Sequence, residues 1–271
     1  MKLSDQDKID IVNEYKSGIS GLQLSRKYKV SCSSIFSILR KRNIDIRGNS
    51  IVSRKYTINE NYFKKIDSED KAYFLGLLYA DGYNNEKVGS VTLTLQFNDK
   101  HILELFNKKI NHSKPLYFIE RNKKNKNWKN VYKLEICNKT FSRHLANLGC
   151  VQKKALILRF PTEDQVPKHL INHFIRGYLD GDGHIGERSV QIVSSCYFID
   201  SLSSKLNLLG IKTRVIMAKN GNNITKRLNT STQYDSIKFL DWIYKNSKFK
   251  FKRKYGKYLL FKKNYSYHPI V

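Results

Sequence analysis

Two copies of one short segment occur in this chain, about a hundred residues apart. The first reads FLGLLYADG over residues 74–82, and the second reads IRGYLDGDG over residues 175–183. In each copy a pair of small residues stands four positions apart on one helical face: Gly76 with Ala80, and Gly177 with Gly181. Small residues at this spacing allow two helix backbones to approach closely. The repeat therefore predicts two helices that pack against each other.

An aspartate followed by a glycine ends each copy, and packing of the helices would bring Asp81 and Asp182 together. A carboxylate at a helix C-terminus is disfavoured by roughly 0.3–1 kcal/mol, and two adjacent carboxylates also repel each other. A divalent cation relieves both penalties, and Mg²⁺ is commonly held by one or two carboxylates together with substrate phosphates. We therefore predict a site for Mg²⁺ or Mn²⁺. For either copy alone, an Asp-Gly pair that merely caps the helix remains an alternative.

The charge balance is strongly basic, with 50 Lys and Arg against 23 Asp and Glu and a formal net charge of +27. This surplus predicts a polyanionic partner, most simply nucleic acid, although an acidic membrane surface or an A/T-rich genome also accounts for part of it. An apolar run of about 18 residues and a signal peptide are both lacking, which favours an intracellular protein of a bacterial or phage-infected cytoplasm or an organelle, without a membrane span. The scattered cysteines predict reduced thiols: Cys32, Cys137, Cys150 and Cys196.

Residues 1–46 are predicted to form a small all-α domain of the helix-turn-helix type. Apolar residues recur at helical spacing in three short segments, and Ser31 can cap the third helix, which would enter the major groove. The predicted DNA contacts lie at both ends of that helix: Ser31, Ser33, Ser34, Arg40, Lys41 and Arg42. A plain three-helix packing module is the alternative. Residues 47–67 are predicted to be a basic linker, with Arg47 along DNA.

Residues 68–165 and 166–271 each show the element order αββαββα, so the fold class is predicted to be α+β with a duplicated domain. Alternating segments such as SVTLTLQF over residues 90–97 predict sheets with one buried and one polar face. The polar faces are free to contact DNA. The predicted contacts on them are Thr92, Thr94, Arg214, Lys226 and Arg227.

Over roughly residues 68–262, the two repeats in this order resemble a monomeric LAGLIDADG homing endonuclease. The resemblance implies two pseudo-symmetric halves with the motif helices at their interface and the sheets over a long double-stranded DNA site. It also implies that Asp81 and Asp182 bind divalent metal at the two scissile phosphates. The main-chain oxygens of Ala80 and Gly181 are candidate additional ligands.

The resemblance further implies basic and polar residues that complete each active site. Lys153 is favoured over Lys154 in the first half, Lys252 over Lys254 in the second, and Gln96 is the polar residue of the first sheet. Lys254 is assigned to DNA contact. The chain departs from the family pattern at Tyr79, which replaces the first acid that Asp180 keeps, and at Arg176, where a small residue is preferred.

Three functions are consistent with this sequence. The first is a site-specific double-strand DNA endonuclease, acting as a monomer. The second is a maturase that binds intron RNA on the same scaffold. The third is a DNA-binding regulator that does not cleave, and the presence of both Asp81 and Asp182 speaks against it.

Overall fold

The computed structural model describes residues 3–46, 56–152, 154–220 and 223–266. The chain divides into two compact units, Met1–Tyr56 and Thr57–Val271. Within the described residues, no helix has both the length and the apolar character needed to cross a bilayer. The four cysteines are free.

The first unit contains the three predicted helices, α1 (Asp5–Lys16), α2 (Gly21–Lys27) and α3 (Cys32–Lys41). A serine side chain caps each helix by accepting a hydrogen bond from a main-chain N–H of its first turn. The helices enclose a small apolar core of Ile11, Val12, Tyr15, Leu24, Ile35 and Leu39. Arg47 lies outside the described residues.

The second unit contains two halves with the same order of elements, which confirms the predicted fold class. The first half consists of α4 (Glu69–Asp81), β1 (Gly82–Asn85), β2 (Ser90–Gln96), α5 (Lys100–Lys109), β3 (Tyr117–Ile119), β4 (Val131–Cys137) and α6 (Lys139–Asn147). The second half consists of α7 (Ile171–Asp182), β5 (Gly183–Ile185), β6 (Val190–Ser194), α8 (Cys196–Leu208), β7 (Thr213–Asn220), β8 (Asn223–Thr230) and α9 (Gln233–Tyr244). A further helix, α10 (Lys252–Ser266), was not predicted from the sequence.

Each half forms a four-stranded antiparallel sheet, with strand order β1-β2-β4-β3 in the first and β5-β6-β8-β7 in the second. Alternation along the strands separates two faces, as the sequence predicts. Val91, Leu93 and Leu95 of β2 are buried, whereas the residues between them are only partly covered.

The motif helices α4 and α7 pack with their backbones in direct contact. A Cβ atom added at Gly76 would stand 1.9 Å from the carbonyl oxygen of Phe174, and one added at Gly177 would stand 2.0 Å from that of Tyr73. Both distances are too short for any side chain. The predicted close packing of the repeated helices is therefore confirmed, and glycine is required at the crossing.

The segment before α4 belongs to the folded core of the second unit. Tyr62, Phe63 and Ile66 are buried there, inside the range 47–67 that the sequence assigned to a linker. Their apolar side chains are stabilised by removal from water, so the folded unit begins before residue 68.

Candidate functional site

Asp81 and Asp182 are the last residues of α4 and α7, and the helix crossing brings them to the same place. A Cβ atom added at Gly181 would stand 3.1 Å from Oδ2 of Asp81, so the Asp81 carboxyl lies against the end of the other motif helix. Both aspartates are exposed at the surface. The structure thus forms an accessible pair of acids.

The surroundings of these acids raise their pKa values. The pKa of Asp81 is raised to about 6, mainly because its carboxyl is partly desolvated and secondly because of the negative charge of Asp182. Desolvation also raises the pKa of Asp182. Lys154 and Lys254 oppose both shifts, because their positive charges favour the ionised carboxylates. The site is therefore a set of two acids and two lysines.

The two lysines hold equivalent positions at the ends of the motif helices. Nζ of Lys154 donates to the carbonyl oxygens of Leu78, at 2.6 Å, and of Gly82. Nζ of Lys254 donates to the matching carbonyls in the second half, those of Leu179 at 2.5 Å and Gly183 at 2.6 Å. Each ammonium thereby neutralises the negative end of a helix dipole beside an aspartate.

Burial lowers the pKa of both lysines, and that of Lys254 falls to about 8. Lys254 is only 5% exposed, whereas the predicted Lys252 is exposed at the start of α10. The structure therefore places Lys254, and not Lys252, next to the acids. Lys153 lies outside the described residues. The spacing in the sequence favoured Lys254 over Lys252, because the interval from Asp182 to Lys254 equals that from Asp81 to Lys153, but it did not favour Lys154 over Lys153.

Gln96 is linked to the site through two residues that were not selected from the sequence. Its Nε2 donates to Oδ2 of the buried Asp99 at 2.9 Å, and Nε of Arg253 donates to the same oxygen at 2.9 Å. Arg253 is also one of the cations that favour the ionised form of Asp81. Arg253 thus adds a positive charge to the site.

The second sheet corrects one predicted DNA contact. Arg214 and Arg227 are exposed on its polar face, but Lys226 points the opposite way. Nζ of Lys226 bonds both carboxylate oxygens of Asp200 on α8, at 2.7 Å. Side chains of neighbouring strand residues point to opposite faces, so Lys226 and Arg227 cannot share a surface. In the first sheet, Thr92 and Thr94 lie on the polar face, as predicted.

A basic loop between β3 and β4 was not singled out from the sequence. Trp128 is 53% exposed, and with Arg121, Lys124 and Lys129 it lines a concavity of about 580 Å³ that also reaches Gln96. An exposed tryptophan among cations suits contact with nucleic acid. The signal in the sequence was the run KKNKNWKN over residues 123–130.

The predicted contacts of the first unit lie together on its surface. Ser31 Oγ caps α3 and lies 2.7 Å from Ser33 Oγ and 2.8 Å from Ser34 Oγ. Arg40, Lys41 and Arg42 are exposed at the other end of the helix. A depression of about 510 Å³ connects the two groups, lined by Ser33, Ser34, Ser37, Lys41 and Arg42 among others.

The groups predicted to bind a cation all offer oxygen atoms. The ligands predicted from the sequence are the carboxylates of Asp81 and Asp182 and the main-chain oxygens of Ala80 and Gly181, and the Gly181 oxygen accepts a hydrogen bond from Nζ of Lys254 at 3.2 Å. In the described part of the chain, no group of three or more His, Cys, Asp or Glu side chains is arranged so that it could hold a metal ion. Two carboxylates fit a hexacoordinate Mg²⁺ or Mn²⁺ whose other ligands are water and phosphate, because such ions retain several non-protein ligands.

Comparisons with known proteins give a family match for one part of this chain and one similar protein. Residues 170–244 match the model of a LAGLIDADG-like domain. The uncharacterized protein MJ0314 of Methanocaldococcus jannaschii is 28% identical over 195 residues, which cover 68% of this chain and 70% of that protein.

Solved structures of homing endonucleases are also similar. Mesophilic variants of I-DmoI match with a TM-score of 0.48 and 18% identity over 65% of this chain and 94% of theirs. I-WcaI bound to its DNA recognition sequence matches with a TM-score of 0.48 and 14% identity, over 75% of this chain and 91% of its own.

Proposed function

We propose that this chain, whose residues 170–244 match the model of a LAGLIDADG-like domain, is a site-specific endonuclease that hydrolyses one phosphodiester in each strand of double-stranded DNA. The observation that carries this proposal is the accessible pair Asp81 and Asp182, flanked by Lys154 and Lys254, whose positive charges act on both carboxylates. Two aspartates, with a lysine at the end of each motif helix, suit two cuts.

The chemistry follows from what these groups offer to a phosphodiester. Asp81 and Asp182, with the main-chain oxygens of Ala80 and Gly181, would hold Mg²⁺ or Mn²⁺, which supplies Lewis-acid stabilisation and a bound water of lowered pKa. Lys154 and Lys254 stabilise the negative charge that develops on the phosphate in the transition state.

DNA would lie across the polar faces of the two sheets. Exposed residues such as Arg214 and Arg227, with Thr92, Thr94 and the loop around Trp128, can contact phosphates and base edges in the major groove. In the first unit, α3 offers serines and cations for a separate groove contact. Because one chain supplies both aspartates and both lysines, a single copy is sufficient, and we propose a monomer.

The test uses a supercoiled plasmid that carries the DNA flanking the insertion point of the gene. With Mg²⁺, the wild-type protein is expected to produce linear plasmid. The double variant Asp81→Asn, Asp182→Asn should bind the same DNA without cutting it, because amide side chains are poor metal ligands. A double variant that still linearises the plasmid would disprove the site. Specific binding without cutting by the wild type would instead support a regulator, and splicing of intron RNA would support a maturase.

A further inference from the structure

Tyr79 and Asp180 stand at the same position of the two repeat copies, yet they are chemically different. The Tyr79 hydroxyl donates a hydrogen bond to the carbonyl oxygen of Leu148. Oδ2 of Asp180 accepts a hydrogen bond from the main-chain N–H of Phe251 at 2.8 Å. Both side chains are buried in the motif helices. Tyr79 therefore bonds the main chain of the segment that follows α6, and Asp180 bonds the main chain of the segment that follows α9.

Each bonded segment leads directly to an active-site lysine. From Leu148 the chain continues to Lys154, and from Phe251 it continues into the first turn of α10, which carries Lys254. The hydrogen bonds have opposite direction, since a hydroxyl donates in one half and a carboxylate accepts in the other. The two halves thus fix equivalent segments by different chemistry.

The second segment is held by further buried charges. Arg176 is fully buried; it donates to the carbonyl oxygens of Phe249 and Ile243, both at 2.7 Å, and to Glu69 at 2.8 Å. Glu69, at the start of α4, also accepts from the main-chain N–H of Lys248 at 2.6 Å. The bulky arginine at a position where the family pattern prefers a small residue is explained by these contacts. Both motif helices therefore anchor the chain that precedes Lys254.

We propose that Tyr79 and Asp180 are positioning residues, each of which serves one of the two strand cuts. Tyr79 holds the segment that places Lys154, and Asp180 holds the segment that places Lys254. This inference rests on the proposed nuclease function. A displacement of about 1 Å in an active site can cost about 100-fold in rate, so loss of one anchor should slow one cut and spare the other.

The first experiment follows each strand separately on a duplex whose strands carry different fluorescent labels. Asp180→Ala is expected to slow cutting of one strand by about 10- to 100-fold, as is typical for loss of a residue that orients an active-site group. Tyr79→Phe should slow the opposite strand, and nicked DNA should accumulate with both variants. Equal slowing of both strands by each variant, or no slowing by either, would overturn the proposal.

Asp180→Asn provides a rescue by a side chain of the same shape. Oδ2 of Asp180 accepts from both Phe251 N–H and the Tyr73 hydroxyl, each at 2.8 Å, while Oδ1 is buried without a hydrogen-bond partner among the described residues. An asparagine oxygen can accept both hydrogen bonds, and its amide can occupy the place of Oδ1. Cutting of the affected strand should return to near the wild-type rate, and a rate as low as that of Asp180→Ala would contradict the assigned hydrogen bond.

Matched control variants change a tyrosine hydroxyl and a carboxylate that do not bond the segments leading to Lys154 and Lys254. Tyr62→Phe removes a buried hydroxyl that donates to Asp70, and Asp235→Asn changes a buried carboxylate that accepts from Lys212 N–H. Neither should alter the ratio of the two strand rates. If both did so as strongly as the test variants, the effect would reflect general loss of stability and the proposal would fail.

A second readout does not depend on cutting. Buried Lys254 should acetylate slowly in the wild-type protein, as measured by mass spectrometry after treatment with acetic anhydride. Asp180→Ala should accelerate acetylation of Lys254 but not of Lys154, and Tyr79→Phe should do the reverse. A wild-type protein that does not cut DNA would refute the proposed function, yet this selective labelling would still support the positioning roles. Labelling that changes equally at both lysines, or at neither, would refute those roles.

Discussion

Replacement of Gly76 by alanine should separate the two motif helices. The new Cβ would stand 1.9 Å from the Phe174 carbonyl oxygen and 2.9 Å from the main-chain nitrogen of Tyr178, and backbone atoms cannot rotate away as a side chain can. Overpacking in a core costs typically about 1–3 kcal/mol, and a backbone clash belongs at the upper end of that range. Alanine stabilises a helix interior by about 1 kcal/mol relative to glycine, which offsets part of this cost. The free energy of unfolding should therefore fall by about 2 kcal/mol.

Thermal and urea unfolding of the full chain measure this loss. A fall of about 2 kcal/mol corresponds to a decrease in Tm of roughly 4–8 °C for a unit of this size. Cutting should decrease as well, because separation of α4 and α7 also separates Asp81 from Asp182. The matched control is Gly256→Ala in α10, where an added Cβ meets no atom within 4 Å and alanine should be neutral or stabilising. Wild-type stability in Gly76→Ala, or equal loss in both variants, would refute the backbone contact.

Three further predictions test the charges and the first unit. Because the folded-state pKa of Asp81 is raised to about 6, its protonation favours the folded state, and this contribution is lost as pH rises through about 6. Asp81→Asn should therefore increase the free energy of unfolding over that of the wild type by about 1 kcal/mol more at pH 7.5 than at pH 5. The full shift would correspond to roughly 3 kcal/mol, but water screens the exposed carboxyl. Wild-type cutting should decline below pH 6, and a stability difference between variant and wild type that does not change with pH would contradict the shift. Arg227→Gln should weaken DNA binding and reduce its salt dependence by about one phosphate contact, whereas Lys226→Gln on the opposite face should change neither in a salt titration; equal effects would reverse the facial assignment. Deletion of residues 1–46 should weaken binding and shorten the DNase footprint, and an unchanged footprint would show that this unit does not contact the site.

The fold could be predicted because its main determinants are local and periodic. The four-residue spacing of Gly76 with Ala80, and of Gly177 with Gly181, indicates a close helix crossing. Alternation such as Val91, Leu93 and Leu95 indicates a half-buried strand. The linker boundary was less accurate because the polar composition of residues 47–67 obscured the apolar Tyr62, Phe63 and Ile66. Those side chains are buried by tertiary contacts, which a local pattern does not report.

The candidate site was predicted only in part, because its lysines depend on where distant segments end. Lys252 and Lys254 are two residues apart on α10, and only the start of that helix decides which of them faces the end of α7. Lys226 and Arg227 differ in the same way, since a shift of one residue reverses the face of a strand. There a signal was available, because Lys226 has the same parity as the buried Leu228.

The last described helix of the second unit, α10, contacts both halves of that unit. Arg253 reaches back to Asp99 beside the first sheet, while the next residue, Lys254, bonds the carbonyls at the end of α7. A ribosome must therefore synthesise nearly the whole described chain before either contact can form. If the proposed function holds, the nascent polypeptide lacks both contacts until translation has passed the start of α10, so the order of synthesis delays full activity.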